Sequence, residues 1–531
     1  MVDLHTQSSP GTSSAAGMVN GTLRAAELPA KQRLPNGTDM AATDGTAARR
    51  SGVVVATADN IAELLAHDTK VQIAGVDCDG VLRGKVIAKD KFLSGVANGV
   101  AMSSAIFGWD MHDELHNPST SLATAEQGYA DILAFPDLST FRRLPFDDDG
   151  LPFVLVSFGA ASDPLPVCGR SMMRSLSQRL HDAGCRGLAG VELEFMNFRT
   201  PTEAGYNSPE RSANIAAFLK THSPKSLETI TDGMFGYSVT RPVMNKRFFR
   251  QLFDQADQFR CGIEGLHTES GPGVVEAALR VSPLEEMADK VTLFKLLAKS
   301  IGVEENITPC FMAKPLQNLP GNSGHIHVSL VDHEGRNLFA RDTVDANAPW
   351  DDIAGLSDLG RHFLAGLLDG LPDLMPVLAP TVNSYKRLVE NYWAPVDVSW
   401  GLEHRLSSIR LIAPPVGKPS ATRFEVRIPG ADLHPHYALL AIVAAGWRGV
   451  EKKLAITVPP SATRAQTGEK AALLPNTLVK ALERFRAPGS VAREVLGDAF
   501  VDFYTATREH ELRLWREAVT DWEFVRYIEN I

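Results

Sequence analysis

Charged and apolar residues alternate in several short stretches of this chain, and that alternation predicts strands with one ionic face. In Val191-Glu-Leu-Glu-Phe195, Glu192 and Glu194 fall on one side, with Val191, Leu193 and Phe195 on the other, because extended side chains alternate. Gly324-His-Ile-His-Val-Ser-Leu330 sets His325, His327 and Ser329 against Ile326, Val328 and Leu330. Arg423-Phe-Glu-Val-Arg-Ile428 sets Arg423, Glu425 and Arg427 against Phe424, Val426 and Ile428. Glu269 and Glu276 flank Gly271-Pro-Gly273, and Glu276 stands among apolar neighbours.

Elsewhere the pattern is more ordinary. Residues 59–66 (DNIAELLA) predict a helix start with Asp59 as N-cap, and 71–87 predict two short strands about an Asp79-Gly80 turn. A linker-like run, Asp163 to Gly169, precedes a predicted helix over 171–183, after which strands and helices alternate to the end. Residues 1–55 show no period of either kind and are expected to form a disordered tail, since they cannot bury enough apolar surface to offset the entropy of ordering. No internal repeat is visible.

Length and composition narrow the class. A chain of 531 residues exceeds what one core usually organises, so two domains are expected, over 56–163 and 164–531. With 63 acidic against 53 basic residues, the charge of -10 disfavours a nucleic-acid partner, and no Lys/Arg cluster marks an anionic membrane. The longest apolar stretch, Tyr437 to Trp447, is too short to span a bilayer, and no secretory signal opens the sequence. The 5 cysteines lack any Cys-x-x-Cys pair, which fits reduced packing thiols in a cytoplasmic protein.

The ionic faces carry the chemistry. An antiparallel sheet often shows one polar face to water, but such faces usually mix Lys, Thr and Ser. These faces carry Glu, His and Arg almost exclusively. Clustered carboxylates repel unless a cation lies between them, and oxygen-rich donor sets with a histidine suit Mg²⁺ or Mn²⁺. Arg387, Arg405, Arg410 and Arg427 supply guanidinium forks for carboxylate or phosphate. Together they suggest phosphoryl chemistry. There is no Walker loop: Gly80-Val-Leu-Arg-Gly-Lys-Val86 has the wrong spacing and lacks the Ser/Thr.

The stretch Lys314-Pro-Leu-Gln-Asn-Leu-Pro-Gly-Asn-Ser-Gly-His-Ile-His-Val-Ser329 resembles the ATP-region signature of the glutamine synthetase family, departing from it at Ser323, where Gly or Ala is usual. Asn383-Ser-Tyr-Lys-Arg-Leu388, Trp400-Gly-Leu-Glu-His-Arg405 and Arg423-Phe-Glu-Val-Arg427 resemble further family motifs in the same order, and Val519-Thr-Asp-Trp-Glu-Phe-Val-Arg-Tyr527 is similar to the γ-glutamylpolyamine synthetase branch. The resemblance, running from about Val71 to the C-terminus, implies an α+β protein. It would have a small N-terminal β-grasp domain and a larger catalytic α/β domain with a curved antiparallel sheet, in a ring-shaped homo-oligomer with active sites between subunits. Its implied activity is ATP-dependent joining of glutamate to an amine through γ-glutamyl phosphate, with two or more Mg²⁺ or Mn²⁺ ions per site. The implied metal ligands are Glu194, Glu269 and Glu276 at one ion and Glu192, His325 and Glu425 at the other. Glutamate would meet Arg387, His327 and Gly321. Arg405, Arg410 and Arg427 would meet phosphates, and Asp77 would reach the amine from the adjacent subunit.

The pattern departs from the family at two further places. Trp393 stands where the family has the Glu that binds and deprotonates ammonium, with the spacing from Lys386-Arg-Leu388 intact. An indole provides no base, though its face can hold a cation or an apolar amine, so an organic amine or polyamine is the expected acceptor. Asp77 and the neighbouring Glu390 keep ammonium open as the alternative. Val274 replaces a Gln between Gly273 and Glu276. A non-catalytic relative is a second alternative, but all the implied metal positions are filled. A zinc hydrolase is a third, from His112-Asp-Glu-Leu-His116; there the base Glu should follow the first His, and Asp113 does.

Overall fold

A computed structural model describes residues 55–201, 215–389, 394–413 and 418–531, which group as one compact unit. Residues 1–54 of the expected tail, Glu390 and Trp393 lie outside the described residues. The chain opens with a mixed sheet: β1 (Lys70–Val76), β2 (Leu82–Ala88), β3 (Val100–Ser103), β4 (Asp131–Pro136), β5 (Arg142–Arg143), β6 (Pro152–Ala160) and β7 (Asp163–Pro164). Its main path runs β2-β1-β6-β4-β3, with β1 and β6 parallel. The β1–β2 hairpin turns at Asp79-Gly80, where Gly80 has a φ of 81°.

Two local expectations need correction. The helix after residue 59 is only one turn, Ile61–Leu64, and its N-cap is Asn60 rather than Asp59. The Asn60 side chain is drawn backwards instead, accepting from the Thr57 amide at 2.8 Å and donating to the Val55 carbonyl at 2.9 Å. The expected linker is also short: β7 pairs with β6, and the next helix begins at Gly169 and runs to Asp182.

The second sheet is curled and holds β8 (Cys185–Arg199), β9 (Ile263–Thr268), β10 (Val274–Leu279), β11 (Ser282–Pro283), β12 (Ile307–Cys310), β13 (Gly324–Asp332), β14 (Trp400–Leu402), β15 (Ile409–Ile412) and β16 (Arg423–Val426). Its order is β14-β15-β16-β13-β8-β10-β9. All of these neighbours are antiparallel except β14 and β15, which run parallel at the edge. The apolar half of each alternating strand is buried against helices. Phe195 meets Phe294 of the helix Leu284–Glu305 at 6.0 Å between ring centroids, and Phe424 stacks on Phe363 of the helix Asp358–Leu378 at 5.9 Å. Burying one such ring is worth about 1.5–3 kcal/mol, which fixes which face of the sheet turns outward.

The helices Asp358–Leu378 and Pro435–Lys452 approach backbone to backbone. A Cβ at Gly366 would fall 2.3 Å from the Ala445 carbonyl oxygen and 2.8 Å from Gly449 Cα. Gly366→Val should therefore cost stability on the overpacking scale of about 1–3 kcal/mol or more, read as an earlier unfolding midpoint in urea. An unchanged midpoint would mean that the two helices can separate freely. No helix among the described residues is long and apolar enough to cross a membrane.

Candidate active site

Strand register gathers the charged residues. β8 pairs with β13 so that Glu192 faces His325, and β13 pairs with β16 so that His327 faces Glu425. On the other flank β10 sets Glu276 opposite Glu194, and β9 sets His267 opposite Glu276. β15 sets Arg410 opposite Glu425. Directly paired residues share a face of the sheet, so one surface carries a continuous row from His267 through the carboxylates and histidines to Arg410.

Glu192, His325 and Glu425 have ligand atoms within 4.8 Å of one another. His325 Nδ1 is 3.5 Å from Glu192 and 3.4 Å from Glu425, while His327 Nε2 is 3.0 Å from Glu192. A second group within the same limit comprises His267, Glu269 and Glu276, with His267 3.3 Å from Glu276 and 3.8 Å from Glu269. Glu194, the residue expected from the sequence beside Glu269 and Glu276, is across the strand pair from Glu276. Its Oε2 accepts the Ser323 amide at 2.5 Å. His267 carried no motif to mark it in the sequence, although its position two residues before Glu269 puts both on one side of extended chain.

The electrostatics suit a bound divalent cation. Burial, then repulsion from Glu276, pushes Glu194 up to about 7. The bond to Glu276 pushes His267 up to about 9, so an imidazolium supplies positive charge there. Burial opposes ionisation of Glu192, but its bonds to His325 and His327 hold it well below the usual carboxylate range. Carboxylate oxygens this close need a shared positive charge, and these oxygens with imidazole nitrogens are the donors a hard divalent ion takes.

The arginines line the opposite end. Arg410 donates to Glu425 at 3.0 Å and also pairs with Glu403, while Arg427 pairs with the other Glu425 oxygen. Arg387 is buried and donates to the carbonyls of Ile428 at 2.9 Å and Arg427 at 3.3 Å, with His325 Nε2 3.5 Å away. Burial lowers its pKa to about 10. Gly321 packs under it, since a Cβ there would meet the Ala313 carbonyl oxygen at 2.3 Å and Arg387 Cγ at 2.8 Å. Arg405 is exposed in the turn after β14. Arg423, which the sequence left without a role, donates to His327 Nδ1 at 3.2 Å.

Beside the row lies a cavity of about 360 Å³ with Glu192, His327 and Arg423 at its polar end and Leu188, Val191, Leu279 and Val281 at its apolar end. A flat apolar base joined to a charged chain would suit it. Tyr237 covers the far flank, its ring stacked on His267 at 4.2 Å and its amide bonded to the Thr268 carbonyl at 2.8 Å. It comes from an irregular stretch, with a φ of 54°, where periodicity gives no signal.

Asp77 is not in this row. It is fully buried, and its carboxylate accepts the amides of Asp79 and Val81, both at 2.9 Å, and Arg83 Nε at 2.8 Å. Burial, then the charge of Asp79, pushes it up to about 7. The His112–His116 pair is not on a helical face. The segment is a turn closed by a Trp109–Leu115 bridge, with His112 exposed and His116 buried edge-on against His510. All cysteines are free, and Cys310 alone among them is not fully buried.

Known proteins resemble this chain over most of its length. Residues 166–527 match the family profile of the glutamine synthetase catalytic domain. The chain is 38% identical to type-1 glutamine synthetase 2 of Dictyostelium discoideum over 465 residues, 87% of this chain and 84% of that one. It is 30% identical to the γ-glutamylethanolamide synthetase of Streptomyces coelicolor, covering 87% and 93%, and 28% identical to a glutamate–isopropylamine ligase of Pseudomonas sp, covering 87% and 95%. The solved structure of apo GmaS superposes with a TM-score of 0.71 at 24% identity, over 90% of this chain and 100% of that one.

Proposed function

This chain belongs to the glutamine synthetase family, and we propose from that premise that it joins the γ-carboxylate of glutamate to an organic amine. It is a ligase that forms carbon–nitrogen bonds, within a family that uses ATP and divalent metal. The observation that carries the reading is the single face on which β9, β10, β8, β13, β16 and β15 align their carboxylates, histidines and arginine.

In this proposal Glu192, His325 and Glu425 hold one ion, and Glu194, Glu269 and Glu276 hold another, with His267 beside it. Bound there, Mg²⁺ or Mn²⁺ would neutralise phosphate oxygens. Arg410, Arg427 and Arg405 hold the phosphates by paired donors. Arg387, His327 and Gly321 orient glutamate so that its carboxylate is in line with the γ-phosphate. Fixing both reactants in this way contributes on the order of 7–11 kcal/mol at best. The amine then attacks γ-glutamyl phosphate and phosphate leaves. Asp77, from the neighbouring subunit of a ring-shaped homo-oligomer, is assigned to the amine, with residues 56–163 as a β-grasp domain and 164–531 as the catalytic domain. Trp393 replaces the ammonium-binding Glu. The names of the ethanolamide and isopropylamine relatives support an organic acceptor.

Incubating the protein with ATP, glutamate, metal and a mixture of ammonium, monoamines and polyamines tests this reading. Mass spectrometry should find an organic γ-glutamyl amide as the main product, and a chelator should abolish it. Glutamine formed from ammonium faster than any other amide would overturn the choice of acceptor, and no metal-dependent amide of any kind would overturn the activity.

A further inference from the structure

A second polar cavity, of about 200 Å³, is lined by Arg142, Arg170, Arg174, Arg260 and Lys290 and by the carboxylates of Asp137, Glu285, Glu286 and Asp289. None of these residues belongs to the carboxylate row. Most of its charges are already paired. Arg170 makes ion pairs with Asp289 at 2.9 Å and Asp137 at 2.8 Å, Arg174 reaches Asp137 at 3.2 Å, and Lys290 reaches Glu286 at 3.1 Å.

Arg142 and Arg260 are different. Arg142 is 8% exposed, yet its guanidinium donates only to the carbonyls of Thr140, at 2.8 Å, and Phe259, at 2.9 Å. Arg260 donates to the carbonyls of Ser139 at 3.1 Å and Phe141 at 3.0 Å. Among the described residues neither makes an ion pair with a carboxylate, and the two cations face one cavity. Burial first, and then Arg260, push Arg142 down to about 10. Arg260 also holds a left-handed backbone, φ 58°, at the end of the helix Lys246–Gln258, a position that favours glycine. Two neighbouring guanidinium forks with no carboxylate in direct contact are costly even with Asp289 nearby, and a doubly charged anion with planar or tetrahedral oxygens relieves that cost.

We propose that this cavity is an effector site for a small dianion, a phosphate monoester or a dicarboxylate, gripped between Arg142 and Arg260. Its wall leads to the β1–β2 turn that holds Asp77. Asp289, bound to Arg170, also accepts His436 Nε2 at 2.9 Å. The ring of His434, two residues earlier, is 5.7 Å from that of His436 and contacts the Asp77 carbonyl through Nε2 at 2.9 Å. Occupancy would thus change the KM for the amine more than that for ATP, a consequence that rests on the assignment of Asp77 to the amine step.

The binding claim stands apart from activity and is tested by calorimetry on the full chain without metal or ATP. Inorganic phosphate and succinate are the probes. Arg260→Gly suits the local backbone and removes one fork, and Arg174→Ser is a second, exposed change in the same wall. Arg410→Gln removes an anion contact of the active site instead. Phosphate or succinate affinity should fall at least tenfold in Arg260→Gly and persist in Arg410→Gln; the probe that binds more tightly tells the phosphate class from the dicarboxylate class. Binding lost in Arg410→Gln but unchanged in Arg260→Gly and Arg174→Ser would overturn the proposal, as would no binding of either probe at millimolar concentration.

Discussion

Glu192→Gln should lower kcat by about 10²–10³-fold, the scale for removing one preorganised electrostatic contact, with the fold retained. Gln keeps the volume of Glu192, so the β8–β13 packing is unaffected and only charge is lost. That charge is central to the row. Glu192 faces His325 in register, lies 3.0 Å from His327 and shares a 4.8 Å cluster with His325 and Glu425. The apparent requirement for divalent metal should rise with the loss in kcat, because a neutral amide is a poor ligand for a hard cation. Steady-state kinetics across a metal titration measures both effects. A well-folded Glu192→Gln enzyme within threefold of the original kcat, at the original metal concentration, would take Glu192 out of the ligand set.

Arg508→Met should destabilise the protein by about 3–5 kcal/mol, the cost of leaving a buried charge without its partner. Arg508 and Asp79 are each 3% exposed and form an ion pair between the helix Asp498–Glu517 and the β1–β2 turn. Burial favours the neutral arginine, but Asp79 holds it charged, and its Nη1 donates to the Pro380 carbonyl at 2.9 Å. Removing both charges, as Asp79→Leu with Arg508→Met, should recover much of the loss, because replacing a buried pair by apolar groups is often neutral. Urea unfolding of the two singles and the double gives the coupling as a double-mutant cycle. If the Arg508→Met midpoint matches that of the original protein, the pair does not tie the turn to the helix. Because the same turn holds Asp77, the single variant should also slow the amine step under the role proposed for Asp77.

Much of the site was legible in the chain because alternation is a local property. Glu192 and Glu194 must share a side of any strand that buries Val191, Leu193 and Phe195, and the same logic applies to His325 with His327 and to Arg423 with Glu425. The residue types on those faces named the chemistry, and the ordered motifs named the family. Short irregular stretches were less legible. Asp59 lost the cap to Asn60 because side-chain bonding to the preceding backbone competes with helix initiation. His112 and His116 have helical spacing in number only, since a turn closes between them.

What the sequence by itself determined, then, is which residues turn away from the core in each strand, and hence the set of carboxylates, histidines and arginines available to a metal-dependent ligase. Tertiary structure alone decided which of them meet. Register between strands from distant parts of the chain is fixed by burial of their apolar faces, not by local pattern. That register set Glu276 between His267 and Glu194, and placed Glu425 between His325 and two arginines. The pairing of Asp79 with Arg508, and the forks of Arg142 and Arg260 that lack a carboxylate partner among the described residues, likewise exist only once distant segments pack, because a charge acquires a partner or lacks one only when the surrounding water has been removed.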